Sequence, residues 1–178
     1  MKKTSKSWVQ TYTGKRFYYD SIKENRICIE DIAHALSHIC RFTGHCKQFY
    51  SVAQHSVYVS LNVPPEDAAW GLHHDDSEAY AGDVNKPLKN RLGAPYGDIE
   101  AKIHRLVAKT FNLRGDRPMS IHLADMRMLL TEKRDLFKNV LPWAGYDGLE
   151  PYKFKITPWS PKVAEQKFLK RFYQLKEN

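Results

Sequence analysis

The sequence predicts an all-α fold: one helical bundle of 178 residues with a short β-like arm at its N-terminal end. Three observations point there. Apolar residues recur at helical spacing from Glu30 onward. Helix starts marked by a first-turn proline or a serine cap recur down the chain. No internal repeat, low-complexity tract or linker divides it, and its length suits one domain that buries a core without disulfides or a structural metal.

Residues 8–29 are rich in Thr, Tyr, Phe and Ile around a Gly14-Lys15 turn, a pattern for a short hairpin or extended arm. Ile32, Leu36, Ile39 and Cys40 then follow a helical period, and Val52, Ser56, Val59 and Ser60 resume it after a break at Thr43-Gly44. Pro64-Pro65 starts the helix carrying WGLHHDDSEAY, with Glu66 and Asp67 suited to its positive end. Lys86-Pro87 and Gly93-Ala94-Pro95 bracket a basic loop, after which amphipathic segments run from Ile99 to Phe111 and from Met119 to Phe137. Ser160-Pro161 starts a basic C-terminal helix that runs to about Lys176. The expected organisation of residues 1–178 is an arm (1–29), a metal-site core (30–137) and a C-terminal loop and helix (138–178).

Composition narrows the setting. Three cysteines with no CxxC and no spaced framework suit a reducing cytosol. The basic start MKKTSKSWVQ has no apolar run behind it and no segment is long enough to span a bilayer, so a cytoplasmic protein without membrane partners is expected. The formal charge of +8 implies anionic partners without choosing among nucleotide, acidic protein and nucleic acid.

The stretch WGLHHDDSEAY concentrates ionisable chemistry in apolar surroundings. His74 and Asp75 are adjacent on the expected helix and can grip one ion from neighbouring directions, and Glu78 falls on the same face. His55 interrupts an otherwise small and apolar face in VAQHSVYVS, and Asp125 sits between Leu123, Met126 and Leu129. A carboxylate there needs a partner, either a metal ion or a neighbour such as Arg127 or Arg134. Imidazole plus carboxylate suits manganese, cobalt, zinc or iron, with magnesium possible at a second site.

His, then His-Asp, then Asp on separate helices is the order that HD-domain phosphohydrolases use. VAQHS, LHHDDSEAYAGDVNKPLK and LADMRMLL resemble the three metal-binding segments of that superfamily, and the run from Ile29 to Ser60 is similar to a compact phage and bacterial branch. That branch includes deoxyribonucleoside 5′-monophosphatases and phage dATP triphosphohydrolases. The resemblance covers residues of roughly 10–135. It implies His55, His74, Asp75 and Asp125 as metal ligands, Glu78 as the acid/base glutamate and Asp83 as a further active-site acid. It also implies Arg41 as the grip on substrate phosphate and Lys89 as a lysine at the pocket mouth. His73 and Asp76 depart from the pattern, but the spacing of Glu78 and the Gly-Asp segment keeps His74 as the ligand. The family's members commonly form homo-oligomers.

Lys86 and Arg91 could hold further phosphates, and Phe42 or His45, close to Arg41, could contact a base. The expected substrate is a deoxynucleotide cleaved at its 5′ ester. The basic residues after the metal cluster favour a triphosphate, hence a dNTP triphosphohydrolase, with a purine preference that the phage resemblance implies; a 5′-nucleotidase is the close alternative. A basic nucleic-acid-binding module resting on Lys162, Lys167, Lys170 and Arg171 is a third class. It gives no reason for His55 and Asp125 in apolar helical faces, so nucleic acid is not the expected partner.

Overall fold

In the computed structural model, which describes residues 7–177, the chain is mostly helical with one two-stranded sheet. Strands β1 (Trp8–Gln10) and β2 (Arg16–Tyr18) pair antiparallel with Val9 opposite Phe17, and Gly14 supplies the positive φ of the turn between them. The alternation along β2 buries Phe17 and leaves Arg16 exposed, and Thr13 in the turn donates to Asp31 of the body. The first six residues of the expected arm lie outside the described residues.

Helix α1 (Ile29–His38) buries Ile29, Ile32, Ala33 and Leu36, the i, i+3, i+4, i+7 stripe of an amphipathic helix. After it the backbone makes a tight 3-10 turn over Arg41–Gly44 in which Phe42 and Thr43 both adopt left-handed φ, 56° and 54°. That conformation costs about 1–3 kcal/mol per non-glycine residue and clusters at binding sites. An isolated bridge between Cys40 and Ser51 closes the loop and delivers the chain to α2 (Val52–Leu61), whose N-cap Ser51 accepts from the Gln54 amide.

Helix α2 is buried on nearly all sides and packs on α1, α3 (Ala68–His73), α7 (Met119–Leu136) and α8 (Pro161–Lys176). Its contact with α3 is backbone to backbone: a Cβ added at Gly71 would lie 2.8 Å from the Ser60 Cα. Two apolar clusters flank α2. One is built on Ile32, Leu36, Val57, Ile103 and Phe168, the other on Val59, Trp70, Ile121 and Met128. Residues on this central helix therefore sit where the two cores meet.

Three sequence expectations need correction. The segment opened by Pro64-Pro65 is not one helix. A 3-10 turn (Pro65–Asp67) leads into the short α3, and His74 to Ser77 form a turn before α4 (Glu78–Ala81). The buried His73 imidazole bonds Asp76 Oδ2 across that turn at 2.6 Å, while Asp76 Oδ1 stays buried without a partner. The basic loop is also a helix, α5 (Lys86–Leu92), because Asn85 caps the Leu88 amide and Pro87 fits the first turn. Gly93 ends it, and α6 runs over Ala94–Thr110, five residues earlier than the apolar period suggests.

Candidate functional site

His55 on α2, His74 just past α3 and Asp125 on α7 converge from three separate elements. The two Nε2 atoms are 3.2 Å apart, and Asp125 Oδ1 is 3.1 Å from that of His55. Asp75 Oδ2 is 3.2 Å from His74 Nε2 and 3.6 Å from His55 Nε2. His55, His74 and Asp125 thus meet at one point, with Asp75 beside the two imidazoles.

The outer nitrogen of each ring fixes what the inner one offers. His74 Nδ1 lies 2.8 Å from the Gly71 carbonyl and His55 Nδ1 lies 2.6 Å from Glu132 Oε1, so both Nδ1 atoms carry hydrogen. In the neutral rings both Nε2 atoms then present lone pairs to each other, beside two carboxylates. Four acceptors facing one point with no donor among them repel unless a cation joins them. The donor chemistry therefore fits a metal ion, and carboxylate–imidazole–metal relays of this type orient ligands and raise their basicity.

Burial and Arg41 push the His55 pKa down, but Glu132 and Asp125 outweigh them and raise it to about 9 without metal. A proton then takes the place suited to a cation. Burial pushes Asp125 up, yet the bond from His55 and the charges of His55 and His74 hold it at about 2. Asp75 is held well below the usual carboxylate range by His74, His55 and Arg41 despite its burial.

Glu132 was not singled out from the sequence. Fully buried on α7, it accepts from His55 with one oxygen and from Arg41 Nε with the other, the latter at 3.0 Å. The signal was available: Glu132 lies seven residues after Asp125, two helical turns along the same face. Arg41 also stands 3.6 Å from Asp75, so it touches both the ligand set and its support. Asp125 pairs with neither Arg127, which donates to the Glu150 carbonyl, nor Arg134, which grips Asp135.

The cluster opens on a cavity of about 1150 Å³ lined by Arg41, Phe42, Glu78, Asp83, Lys86 and Lys89 among others. Glu78 is buried with its Oε2 unpartnered, and burial with the nearby Asp75 and Asp83 raises its pKa well above the carboxylate range. Asp83 is raised by burial and by Asp75, against Arg41. Lys89 is not a free charge, since it bonds Glu100 at 2.5 Å and stands 3.7 Å from Glu78. Lys86 keeps an exposed position on the rim.

His45 does not join the site. It is exposed beyond the double left-handed turn that brings Phe42 to the cavity, and it is not among the lining residues. Arg91 is also outside the lining. Sequence reasoning missed Trp143 and Tyr146 from the loop after α7, and Arg117, which donates to the His74 carbonyl. Trp143 packs edge-on to Phe137 and near Phe42, which gives the cavity an aromatic wall. In the basic C-terminal helix, Arg171 is spent on Ser60 and Lys167 lies over Trp159. No helix among the described residues is long and apolar enough to cross a membrane.

No family model matches the chain. It is 42% identical over 173 residues to the Uncharacterized protein YfdR of Escherichia coli (strain K12), covering 96% of this chain and 97% of that one. It is also 30% identical over 128 residues to an uncharacterized protein of Rhodobacter capsulatus, covering 67% of this chain and 65% of that one.

Proposed function

The chain belongs to the same family as Escherichia coli YfdR, and we propose that it is an HD-type, divalent-metal-dependent phosphohydrolase that cleaves the 5′ phosphate ester of deoxynucleotides. The observation that carries this is the pair of inward-facing His55 and His74 Nε2 lone pairs beside Asp75 and Asp125. A divalent ion held there supplies a water of lowered pKa and positive charge for a phosphoryl oxygen.

The chain's own groups supply the rest. Arg41 is permanently charged, fixed by Glu132 through Nε, and has further N–H groups available for non-bridging oxygens. Glu78, whose pKa burial and the neighbouring Asp75 and Asp83 push up, is placed to give a proton to the departing 5′ oxygen. Asp83 faces the same cavity and favours the protonated state of Glu78. Phe42 and Trp143 offer apolar faces to a base, and burial of the ester among them excludes water from the leaving group.

Charge bears on the choice between the two phosphate-chain lengths. Four cationic side chains line the cavity (Arg41, Lys86, Lys89, Arg117), and of these Arg41 is bonded to Glu132, Lys89 to Glu100 and Arg117 to the His74 carbonyl. Of Lys86, Lys89 and Arg91, on which the expectation of a triphosphate rested, Lys89 is already paired with Glu100 and Glu78 and Arg91 lies outside the lining. The surplus positive charge that a triphosphate needs is therefore small, and a deoxynucleoside monophosphate is the better match. The triphosphate keeps one favourable observation, the volume of the cavity.

The test is a panel of deoxynucleoside mono- and triphosphates with manganese, cobalt, zinc and magnesium, with products resolved by chromatography. Nucleoside and inorganic phosphate are expected from the monophosphates. Lys89→Ala should lower turnover of any accepted substrate by a similar factor, because it acts through Glu78 and Glu100. A tenfold loss confined to triphosphates restores the triphosphohydrolase, and no cleavage with any ion rejects the phosphohydrolase.

A further inference from the structure

A second group of potential ligands lies on other elements. His34 and His38, one helical turn apart on α1, meet Glu165 of α8, with one ligand atom from each within 4.8 Å of the others. His34 Nδ1 is 3.2 Å from Glu165 Oε2. His38 Nδ1 lies 2.8 Å from the His34 carbonyl, so that nitrogen carries hydrogen and Nε2 is left with its lone pair. The Tyr12 ring stacks on His34 at 3.6 Å and 8°, which restrains the imidazole from the side of the N-terminal arm.

We propose that His34, His38 and Glu165 form a binding site for a divalent transition-metal ion, separate from the central cluster, that clips α1 to the C-terminal helix. Two donors 3.2 Å apart, each about 2.1 Å from a common ion, subtend an angle of about 100°, between tetrahedral and octahedral values. The ion fits between His34 and Glu165 without moving either. Two imidazoles and one carboxylate select zinc, copper, nickel or cobalt over calcium and magnesium. His38 is exposed, so solvent completes the coordination. Without the ion, α8 is held to α1 by apolar packing, with Ala164 and Phe168 in the same core as Ile32 and Leu36, and the partly exposed His34–Glu165 pair adds little to that.

The experiment uses the untagged, metal-stripped chain dialysed against low-micromolar zinc, with bound zinc counted per chain. Wild type should hold two equivalents, His38→Ala one and Asp125→Ala the other one. His38→Ala changes an exposed side chain, and Glu165→Gln, which keeps the shape and removes the charge, should weaken the same equivalent at least tenfold. Zinc should also raise the melting temperature of Asp125→Ala but not of the Asp125→Ala, His38→Ala double variant. If His38→Ala and Glu165→Gln retain all the zinc that wild type binds, the site does not exist. If wild type binds one equivalent, its loss in His38→Ala supports the clip against the central site, and its loss in Asp125→Ala does the reverse.

Discussion

Glu132→Gln isolates the support of the metal cluster from its ligands. Glu132 serves two buried donors with two oxygens, His55 Nδ1–H at 2.6 Å and Arg41 Nε–H at 3.0 Å. Glutamine has the same shape but only one oxygen, so one of the two donors must face an amide NH₂. A hydrogen bond to a charged group contributes about 1.5–3 kcal/mol. Stripping the partner from a buried charge costs about 3–5 kcal/mol, which Asp75, 3.6 Å from Arg41, offsets in part. A net loss of about 3 kcal/mol lowers the melting temperature of a chain this long by roughly 6–12 °C.

The effect on metal binding is separate. Removing a carboxylate that orients a ligating imidazole lowers affinity about 10–100-fold. Competition against a chromophoric chelator reads the affinity, and thermal unfolding of the metal-free variant reads the stability. A variant that melts lower but binds metal within threefold of wild type would show that Glu132 only neutralises Arg41, and the proposed relay through His55 would be wrong.

Four further outcomes are expected. Asp125→Ala should lose the central metal while remaining folded, since its side chain is about one-third exposed and leaves no core cavity; retention of that metal on dialysis removes Asp125 from the ligand set. Because His55 titrates near 9 in the metal-free chain, central-site metal uptake at neutral pH displaces about one proton, so affinity should climb roughly tenfold per pH unit towards 9 and then level; a flat profile between pH 7 and 8.5 refutes this. By the same shift, the metal-free chain should lose stability as pH rises from about 6.5 through 9, where the folded state gives up the extra proton. Gly71→Ala should cost about 1–3 kcal/mol by overpacking α3 on α2, and, because the Gly71 carbonyl anchors His74, it should also weaken central metal binding; unchanged melting and affinity would mean the helices separate freely.

What the sequence made legible was whatever broke a local pattern. His55 and Asp125 stood out because a polar group in an apolar helical face needs a partner, and the structure brings both to one point. The C-terminal helix was readable from its start, with Ser160 accepting from the Val163 amide ahead of Pro161. Identical logic applied to Asn85 and Pro87 would have found α5, but the surrounding lysines and arginine looked like a solvated loop. The break between His74 and Glu78 was signalled by Asp75, Asp76 and Ser77, which favour turns and caps over helix interiors, but the expected metal-ligand spacing reads as helical. The competing bond is between His73 and Asp76, and helical spacing gives no sign of it.

Glu132 marks where local pattern stops being informative. Within TEKRD it looks like one charge on a solvated face, and only its distant partners make it a buried acceptor: His55 is 77 residues away and Arg41 is 91. Those partners come from opposite sides of the strained turn at Phe42 and Thr43, so three segments must dock before the carboxylate has a role. The same dependence explains Lys89. Its position after the metal cluster suggested free charge for phosphate, whereas α6, packed against α5, supplies the Glu100 that occupies it. Charge available to a ligand is therefore set by tertiary pairing rather than by the number of lysines near a motif.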